Sequence, residues 1–355
     1  GNQYGVWRAR SHKYNKLYYN PEIQYLPWRG LDPNNQEFLD QDPKKAQLDP
    51  MDLNKTIDLT KEVDYLSDRV PRMNGSSSRK DVTVRDFYIP RYYATPASGP
   101  LLAWNDPHVL VEIRDPSSTY QGGPQRDDCA VDDGNPFTCT YAQEIQNFAN
   151  WFSYYRSREY TAKNALGRVV AAASTIRLGY AAMNNKNDRI PIKDLNASFR
   201  AGNKRDLLDQ IYSGVSNGST PLRNGLDGIG KYYECVAGNI FNLPASAPGD
   251  PKCPVPPSPE GQCQLNYSLV FTDGRWNGGF NNTNIDGPGA GNTPFDGGMY
   301  ADAIGGTLAD VAMNYYERDL HPTLTDEVPT TARDAGGAPV GAFGADPDTM
   351  HQHMT

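Results

Sequence analysis

The longest regular pattern in the chain lies at residues 140–173, TYAQEIQNFANWFSYYRSREYTAKNALGRVVAAA. It opens with Thr140 and, three residues later, Gln143, which is the spacing of a helix capping box. Apolar residues then recur at intervals of three, four and seven, as they do along one face of an α-helix. They are Ile145, Phe148, Phe152, Tyr155, Ala162, Leu166, Val169 and Ala173. The pattern predicts one long amphipathic helix.

The segments that follow this helix predict an alternation of helices and strands. Residues 204–215, 219–233 and 305–320 have helical periodicity, whereas 174–183 and 265–274 are short runs of β-favouring residues. The resulting order is helix, strand, helix, helix, strand, helix. That order is typical of an α/β fold with a mainly parallel sheet flanked by helices.

The part of the chain before the helix predicts an irregular region. Residues 86–94, DFYIPRYYA, and 108–113, HVLVEI, have the composition of short strands, the first interrupted by a proline. The whole chain contains 33 Gly, 28 Pro and 22 Tyr among 355 residues, which indicates long ordered loops. We therefore expect two regions, an irregular Tyr- and Pro-rich insertion region at 1–128 and an α/β core at 129–355.

Charge and hydropathy exclude two classes of partner. The formal net charge is −8, and the basic residues are scattered, whereas nucleic-acid binding needs clustered Lys and Arg. No apolar run approaches the roughly 20 residues of a membrane span. We expect neither a nucleic-acid partner nor a membrane-spanning helix.

The five cysteines indicate disulfides and an exported protein. Cys129 and Cys139 flank one short loop, and Cys253 and Cys263 flank another. Neither spacing is that of a zinc knuckle. Cysteines that close short loops in a chain rich in Tyr, Asn and Gly favour disulfides over buried thiols. Cys235 is the odd cysteine and is an alternative partner for Cys253 or Cys263.

Two oxygen-bearing side chains form a candidate metal site. Asp273 ends the apolar run YSLVFTD, and Thr220 begins the helix at 219–233. Ligands of open α/β sheets lie where the strands end, and a carboxylate with a hydroxyl suits a hard cation such as magnesium. The alternative is that Thr220 only caps the helix, with Pro221 at its first position.

A second candidate cation loop is NNTNIDGPGAG at 281–291. Asn282, Asn284 and Asp286 fit the opening of a calcium-binding loop, but Thr293 occupies the twelfth position, where a bidentate Glu belongs. Asn and Gly also form turns without any ligand, which is the alternative reading.

Several longer stretches resemble a known family. The segments 219–233 and 268–278 resemble the threonine and aspartate motifs of the von Willebrand factor A domain. LYYNPEIQYLPW at 17–28, residues 141–158 and TLADVAMNYYERDL at 307–320 are similar to the N-terminal region of the PilC/PilY family of type IV pilus proteins. The resemblance implies a von Willebrand factor A-like, Rossmann-like core with large irregular insertions, lacking its first and last strands in this chain.

The same resemblance implies which residues form the metal site and what is missing from it. Thr220 and Asp273 match metal-site positions for a divalent cation, magnesium, manganese or calcium. The Asp-x-Ser-x-Ser motif of that site does not occur upstream of residue 17, and its nearest counterpart is DPSST at 115–119. The implied site is therefore partial.

The implied function is adhesion to surfaces or host cells and pilus biogenesis, including the balance of extension and retraction. The expected partners are minor pilins, the tip complex and a surface or host receptor. The expected location is outside the cell at the pilus tip, with passage through the periplasm during assembly. One alternative is a structural tip component without a metal. Another is a secreted hydrolase, but general-base candidates are scarce, since three of the five histidines lie in the last 35 residues. We therefore expect no enzyme activity.

Overall fold

The fold consists of two compact units. The structure is a computed structural model, and it describes residues 6–71, 79–95, 107–132, 135–216, 218–272, 274–280, 284–287, 302–330 and 348–355. Unit 1 comprises residues 1–173 and 198–213, and unit 2 comprises 174–197 and 214–355. The unit boundary does not coincide with the expected division after residue 128, because the helix that begins at Tyr141 packs within unit 1.

Short elements make up both units. The helices are α1 Val6–Ala9, α2 Tyr141–Tyr154, α3 Arg158–Ala172, α4 Gly202–Ser213, α5 Leu222–Tyr233 and α6 Leu308–Tyr316. The strands are β1 Ala46–Asp49, β2 Asp52–Ile57, β3 Glu62–Pro71, β4 Arg79–Tyr88, β5 Arg91–Ala94, β6 Val109–Glu112, β7 Thr119–Gln121, β8 Ala130–Asp132, β9 Asn135–Thr140, β10 Arg177–Ala181, β11 Arg189–Asp194, β12 Val328–Pro329 and β13 Thr349–Met350. Among the described residues, no helix is long and apolar enough to cross a membrane.

The expected parallel sheet is wrong. The described strands pair only antiparallel, as five two-stranded ladders and one three-stranded sheet in the order β7-β9-β8. The predicted strand at 174–183 does form β10, but β10 pairs with β11 after a short connection. A connection of that length permits a hairpin, whereas a parallel pair needs a crossover of about a dozen residues or more. The von Willebrand factor A-like, Rossmann-like architecture is therefore not supported.

The second predicted strand, at 265–274, lies on the surface. Its described residues form only one bridge, between Asn266 and Met354, and the Ser268 N–H and the Asn266 carbonyl hydrogen-bond to the backbone of Thr355. Every second side chain faces solvent, with exposed fractions from 46% to 85%. These side chains are Leu265, Tyr267, Leu269 and Phe271, named here the apolar row. This apolar run therefore lies exposed at the surface and is not a buried strand.

The predicted long helix is two helices. The Thr140–Gln143 capping box is confirmed at the start of α2, but α2 ends at Tyr154, and Ser157 caps a new helix by accepting from the Tyr160 N–H. The break changes which residues of α3 face inward. As a result Val169, predicted to lie on the apolar stripe, is 63% exposed.

Helix α2 organises unit 1 because it is buried on nearly all sides, including its polar residues. Asn147 accepts from the Tyr25 N–H at 2.7 Å and donates to the Ile23 carbonyl at 2.9 Å. Asn150 in turn donates to the Tyr25 carbonyl at 2.8 Å. Irregular backbone can be buried only where its polar groups find partners. These helix side chains supply them for the Tyr- and Pro-rich segment.

Unit 2 has its own core between α5 and α6. Leu226 and Tyr233 of α5 pack with Val311 and Tyr315 of α6, and Met354 joins them. Thr307 caps α6 through a capping box with Asp310. The end of the chain, which includes His351 and His353, is buried here.

Two disulfides hold the loops. Cys129 and Cys139 are bonded in unit 1, as expected from their loop. In unit 2 the bond joins Cys235 to Cys253, and Cys263 is free and exposed. The pairing of Cys253 with Cys263 across their short loop is therefore wrong, and the alternative, Cys235 as the partner of Cys253, is the one that the structure shows.

Candidate functional site

Thr220 lies just before α5 and does not cap it. The N-cap is Pro221, which makes no side-chain cap hydrogen bond. The Thr220 N–H donates to the Asn277 Oδ1 at 2.9 Å, and the Asn277 N–H donates to the Thr220 carbonyl at 3.0 Å. The backbone of Thr220 therefore ties the loop after the apolar row to the start of α5.

The other predicted ligands divide between described and undescribed positions. Asp273 and Asn282 lie outside the described residues. The pairing of Asp273 with Thr220 and of Asn282 with Asn284 therefore stays a prediction. Asn284 and Asp286 are described and lie on the loop segment 284–287.

Arg223 on α5 fixes the loops around the site. Its guanidinium donates to the Gly278 carbonyl at 2.6 Å and to the Gly306 carbonyl at 2.5 Å. The same group stacks over the Trp276 ring at 4.1 Å from the centroid, a cation–π contact. One side chain thus joins the segment after the apolar row to the segment before α6.

A cavity of about 750 Å³ opens between α5, α6 and these loops. Its lining residues are Asn224, Asp227, Lys231, Gly279, Phe280, Ile285, Asp310, Val311 and Asn314. Asp227 is held by Lys231 at 2.7 Å and by the Tyr315 hydroxyl, which donates at 2.8 Å. The wall formed by α5 therefore carries a neutralised carboxylate.

Asp310 lines the opposite wall, and two further carboxylates, Asp286 and Asp302, lie next to it. Asp286 is 1% exposed, its Oδ1 accepts from the Asp302 N–H at 3.4 Å, and its Oδ2 has no hydrogen-bond partner in the part of the chain that the structure describes. Burial raises the pKa of Asp286, and the negative charges of Asp310 and Asp302 raise it further. An unpaired buried carboxylate oxygen among other carboxylates is costly unless a cation or a proton neutralises it.

Asp310 has a different role from Asp286. Its Oδ1 accepts from the Ile285 N–H at 2.7 Å, and its Oδ2 accepts from the Thr307 N–H at 2.6 Å and the Thr307 hydroxyl at 2.9 Å. Although burial acts to raise the pKa of Asp310, these hydrogen bonds hold it below its ordinary value. Asp310 therefore holds the backbone of the loop in place. Asp286 and Asp302 are the two carboxylates that remain available to bind a ligand.

Sequence reasoning missed Asp302 and Asp310. They lie 16 and 24 residues after Asp286, so no local spacing joins them. The signal that was available for Asp310 was its place in the capping box with Thr307. Oxygen ligands of this kind suit Ca²⁺ or Mg²⁺ rather than a soft metal.

Other motifs fall outside this site. Asp115 of the DPSST segment binds the hydroxyls of Ser117 and Ser118 at 2.7 Å each, an exposed turn in unit 1. Residues 214–218 have Gly-x-Ser-x-Gly spacing, but Ser216 is exposed and follows helix α4, whereas a nucleophile elbow joins a strand to a helix. His321 lies within 4.8 Å of the Cys235–Cys253 disulfide, which offers no thiolate for a metal.

The fold and the cavity define this chain as a disulfide-bonded module with an oxygen-lined groove. No protein-family model matches the chain, and no solved structure matches it. Curated relatives do match. The chain is 24% identical over 364 residues to the type IV pilus biogenesis factor PilY1 of Pseudomonas aeruginosa strain UCBPP-PA14, covering 90% of this chain and 25% of that protein.

The same protein from two other strains matches about half of the chain. PilY1 of strain PAK is 27% identical over 201 residues, and PilY1 of strain PAO1 is 28% identical over 207 residues. These alignments cover 53% and 52% of this chain. The resemblance to the PilC/PilY family is thereby confirmed, at low identity. The chain spans about a quarter or less of the length of these relatives.

Proposed function

We propose that this chain is part of an exported type IV pilus biogenesis factor that acts in pilus assembly and in adhesion to surfaces or host cells. The observation that carries the proposal is the similarity to PilY1 over 90% of the chain. The two disulfides support an exported location, because such bonds persist in oxidising compartments. The role is one of binding rather than catalysis.

The proposed partners are minor pilins and the tip complex of the pilus, together with a surface or host receptor. The apolar row supports the assembly part of this proposal. Soluble proteins that act alone rarely expose contiguous apolar patches, and such patches are typical of contact surfaces. Leu269, the most exposed member, is 85% exposed.

A divalent cation in the groove is the finer part of the proposal. The buried, unpaired Oδ2 of Asp286 supports it, with Asp302 beside it as a second carboxylate and the Asn284 side chain within the same loop. Calcium suits the loop better than magnesium, because calcium accepts irregular sets of oxygen ligands. The Thr220 and Asp273 pair remains a second proposed location for the cation.

A segment exchange in Pseudomonas aeruginosa tests the biological proposal. The aligned segment of PilY1 is replaced by this chain in strain UCBPP-PA14, and twitching motility and pilin sheared from the surface are compared with the parent and with a strain lacking PilY1. We expect the exchange to restore both above the deletion. A full-length, exported chimera that behaves as the deletion overturns the proposal.

Calorimetric titration tests the cation. We expect heat with calcium that is lost in Asp286→Asn and kept in Asp206→Asn, a matched control because Asp206 is exposed on α4. Heat that survives Asp286→Asn but not Thr220→Val assigns the cation to the other location. No heat with calcium, magnesium or manganese favours a structural component that binds no metal.

A further inference from the structure

Three polar side chains near the start of unit 1 bury atoms that find no hydrogen-bond partner among the described residues. The atoms are Nε and Nη2 of Arg8, Oγ of Ser11, and both ring nitrogens of His12. Ser11 is 0% exposed and His12 is 8% exposed. Nearly all buried polar groups in proteins are hydrogen-bonded, and each exception needs an explanation such as an ion or water.

The three side chains lie within five consecutive residues, at and just after a helical turn. Arg8 lies in α1, and the Ser11 N–H donates to the Arg8 carbonyl at 3.3 Å, so the turn continues past the end of α1. Ser11 and His12 stand three and four positions after Arg8. Arg8 and Ser11, three positions apart in this turn, are neighbours on its surface. The unsatisfied atoms therefore belong to neighbouring positions of one short segment.

The unpaired edge of the Arg8 guanidinium is the edge through which arginine side chains bind oxyanions. Nε–H and Nη2–H lie side by side on a guanidinium and bind two oxygens of one group. Arg126 in the same unit shows this geometry, with Nε 2.8 Å and Nη2 2.9 Å from the two oxygens of Asp128. Arg8 presents the same edge, buried and with no such partner in the described segments, while its plane packs over the Tyr14 ring at 4.9 Å.

The chemistry of the remaining atoms agrees with an anion. Ser11 offers a hydroxyl donor, and a neutral His12 offers one N–H. The Glu22 carboxylate does not satisfy the ring of His12, because its Oε1 lies 4.0 Å from Nε2, beyond hydrogen-bond reach, and 3.4 Å from the Lys13 Nζ. A single water accepts too few hydrogen bonds for this set of donors, and the charge of Arg8 repels a cation. An oxyanion has enough lone pairs to accept from donors of all three kinds.

We propose that Arg8, Ser11 and His12 form a binding site for an oxyanion, a carboxylate or phosphate group. Arg8 binds two of its oxygens through Nε and Nη2. Ser11 donates its hydroxyl proton to the group, and His12 donates a ring N–H. The site lies in unit 1 and is independent of the groove in unit 2.

Titration calorimetry of the whole chain with sodium phosphate and with sodium acetate, in a Tris chloride buffer, tests this site. We expect saturable binding of at least one of the two ions with a Kd of about 10 mM or tighter. Arg8→Met should weaken that binding at least about tenfold, and Ser11→Ala about threefold or more, in line with charged and neutral hydrogen bonds. Arg10→Met is the matched control, because Arg10 packs over the Phe87 ring, and should change it less than about twofold.

The preferred ion identifies the ligand class, and the variants decide whether the site is real. Tighter phosphate binding assigns a phosphate group, and tighter acetate binding assigns a carboxylate. Arg8→Lys keeps the charge but loses the paired N–H groups. It should therefore also weaken binding, provided that circular dichroism shows the variant to be folded. Absence of saturable binding by both ions, or equal binding by the Arg8→Lys and parent proteins, overturns the proposal.

Discussion

Replacing Arg126 should destabilise unit 1 severely. The Arg126 side chain is 0% exposed, and its Nη1 donates to the Glu144 Oε2 at 2.7 Å and to the Pro21 carbonyl at 3.0 Å. Glu144 is also 0% exposed, and its other oxygen accepts from the Tyr19 hydroxyl at 2.8 Å. Arg126→Met keeps most of the volume but leaves the Glu144 carboxylate buried without its counter-charge.

The expected loss in the free energy of unfolding follows from the burial of the Arg126 and Glu144 side chains. Removing one partner of a buried ion pair costs about 3–5 kcal/mol, and the orphaned Pro21 carbonyl adds about 1 kcal/mol. The matched control is Arg114→Met, because the Arg114–Glu62 pair has side chains 48% and 45% exposed, and such a pair contributes less than about 1 kcal/mol. Removing both charges, in Arg126→Met with Glu144→Leu, should recover about 2 kcal/mol or more of the loss.

Hydrogen exchange measured by mass spectrometry on the peptides of α2 provides a local assay. The free energy of opening at residues 141–154 should fall by about 4–6 kcal/mol in the Arg126 variant, or to zero if unit 1 unfolds. A fall no larger than that of the Arg114 control would refute the reasoning, because it would mean that Glu144 is not buried against Arg126.

Three further predictions concern other parts of the chain. Burial, with a neighbouring lysine, lowers the pKa of His12 from 6.5 to about 4, so its neutral ring stabilises the fold above pH 6.5. About 3 kcal/mol should be lost as the pH falls from 6.5 toward 4, and the profile of unfolding free energy against pH should be flatter in His12→Gln. Gly167→Ala places a Cβ 1.9 Å from the Tyr212 hydroxyl and should cost about 1–3 kcal/mol in chemical denaturation, whereas Gly279→Ala, with nothing within 4 Å, should cost less than about 1 kcal/mol. An alkylating reagent applied without reductant should label Cys263 alone, and label on any other cysteine would contradict the disulfide pairing.

Local signals in the sequence predicted the start of α2 correctly. The capping boxes of α2 and α6 rest on side chains three residues apart, so their geometry is decided by neighbours in the chain. The division of residues 140–173 into two helices was missed, because the continuing apolar spacing concealed the cap at Ser157.

Sheet pairing and the groove could not be predicted in the same way. The apolar alternation at 265–271 specifies an extended backbone, but not whether another strand lies beside it. Asp286, Asp302 and Asp310 meet through the folded chain rather than through spacing. Asn147 and Asn150 do not belong to the predicted apolar stripe, yet both are buried because the irregular segments hydrogen-bond to them.

The amount of pilin sheared from the surface of the segment-exchange strain tests the central claim most directly. If this chain can replace the aligned PilY1 segment in function, the amount of sheared pilin should clearly exceed the amount from the strain lacking PilY1. Sheared pilin at the level of that strain, with the chimera exported in normal amounts, would contradict a role in pilus biogenesis.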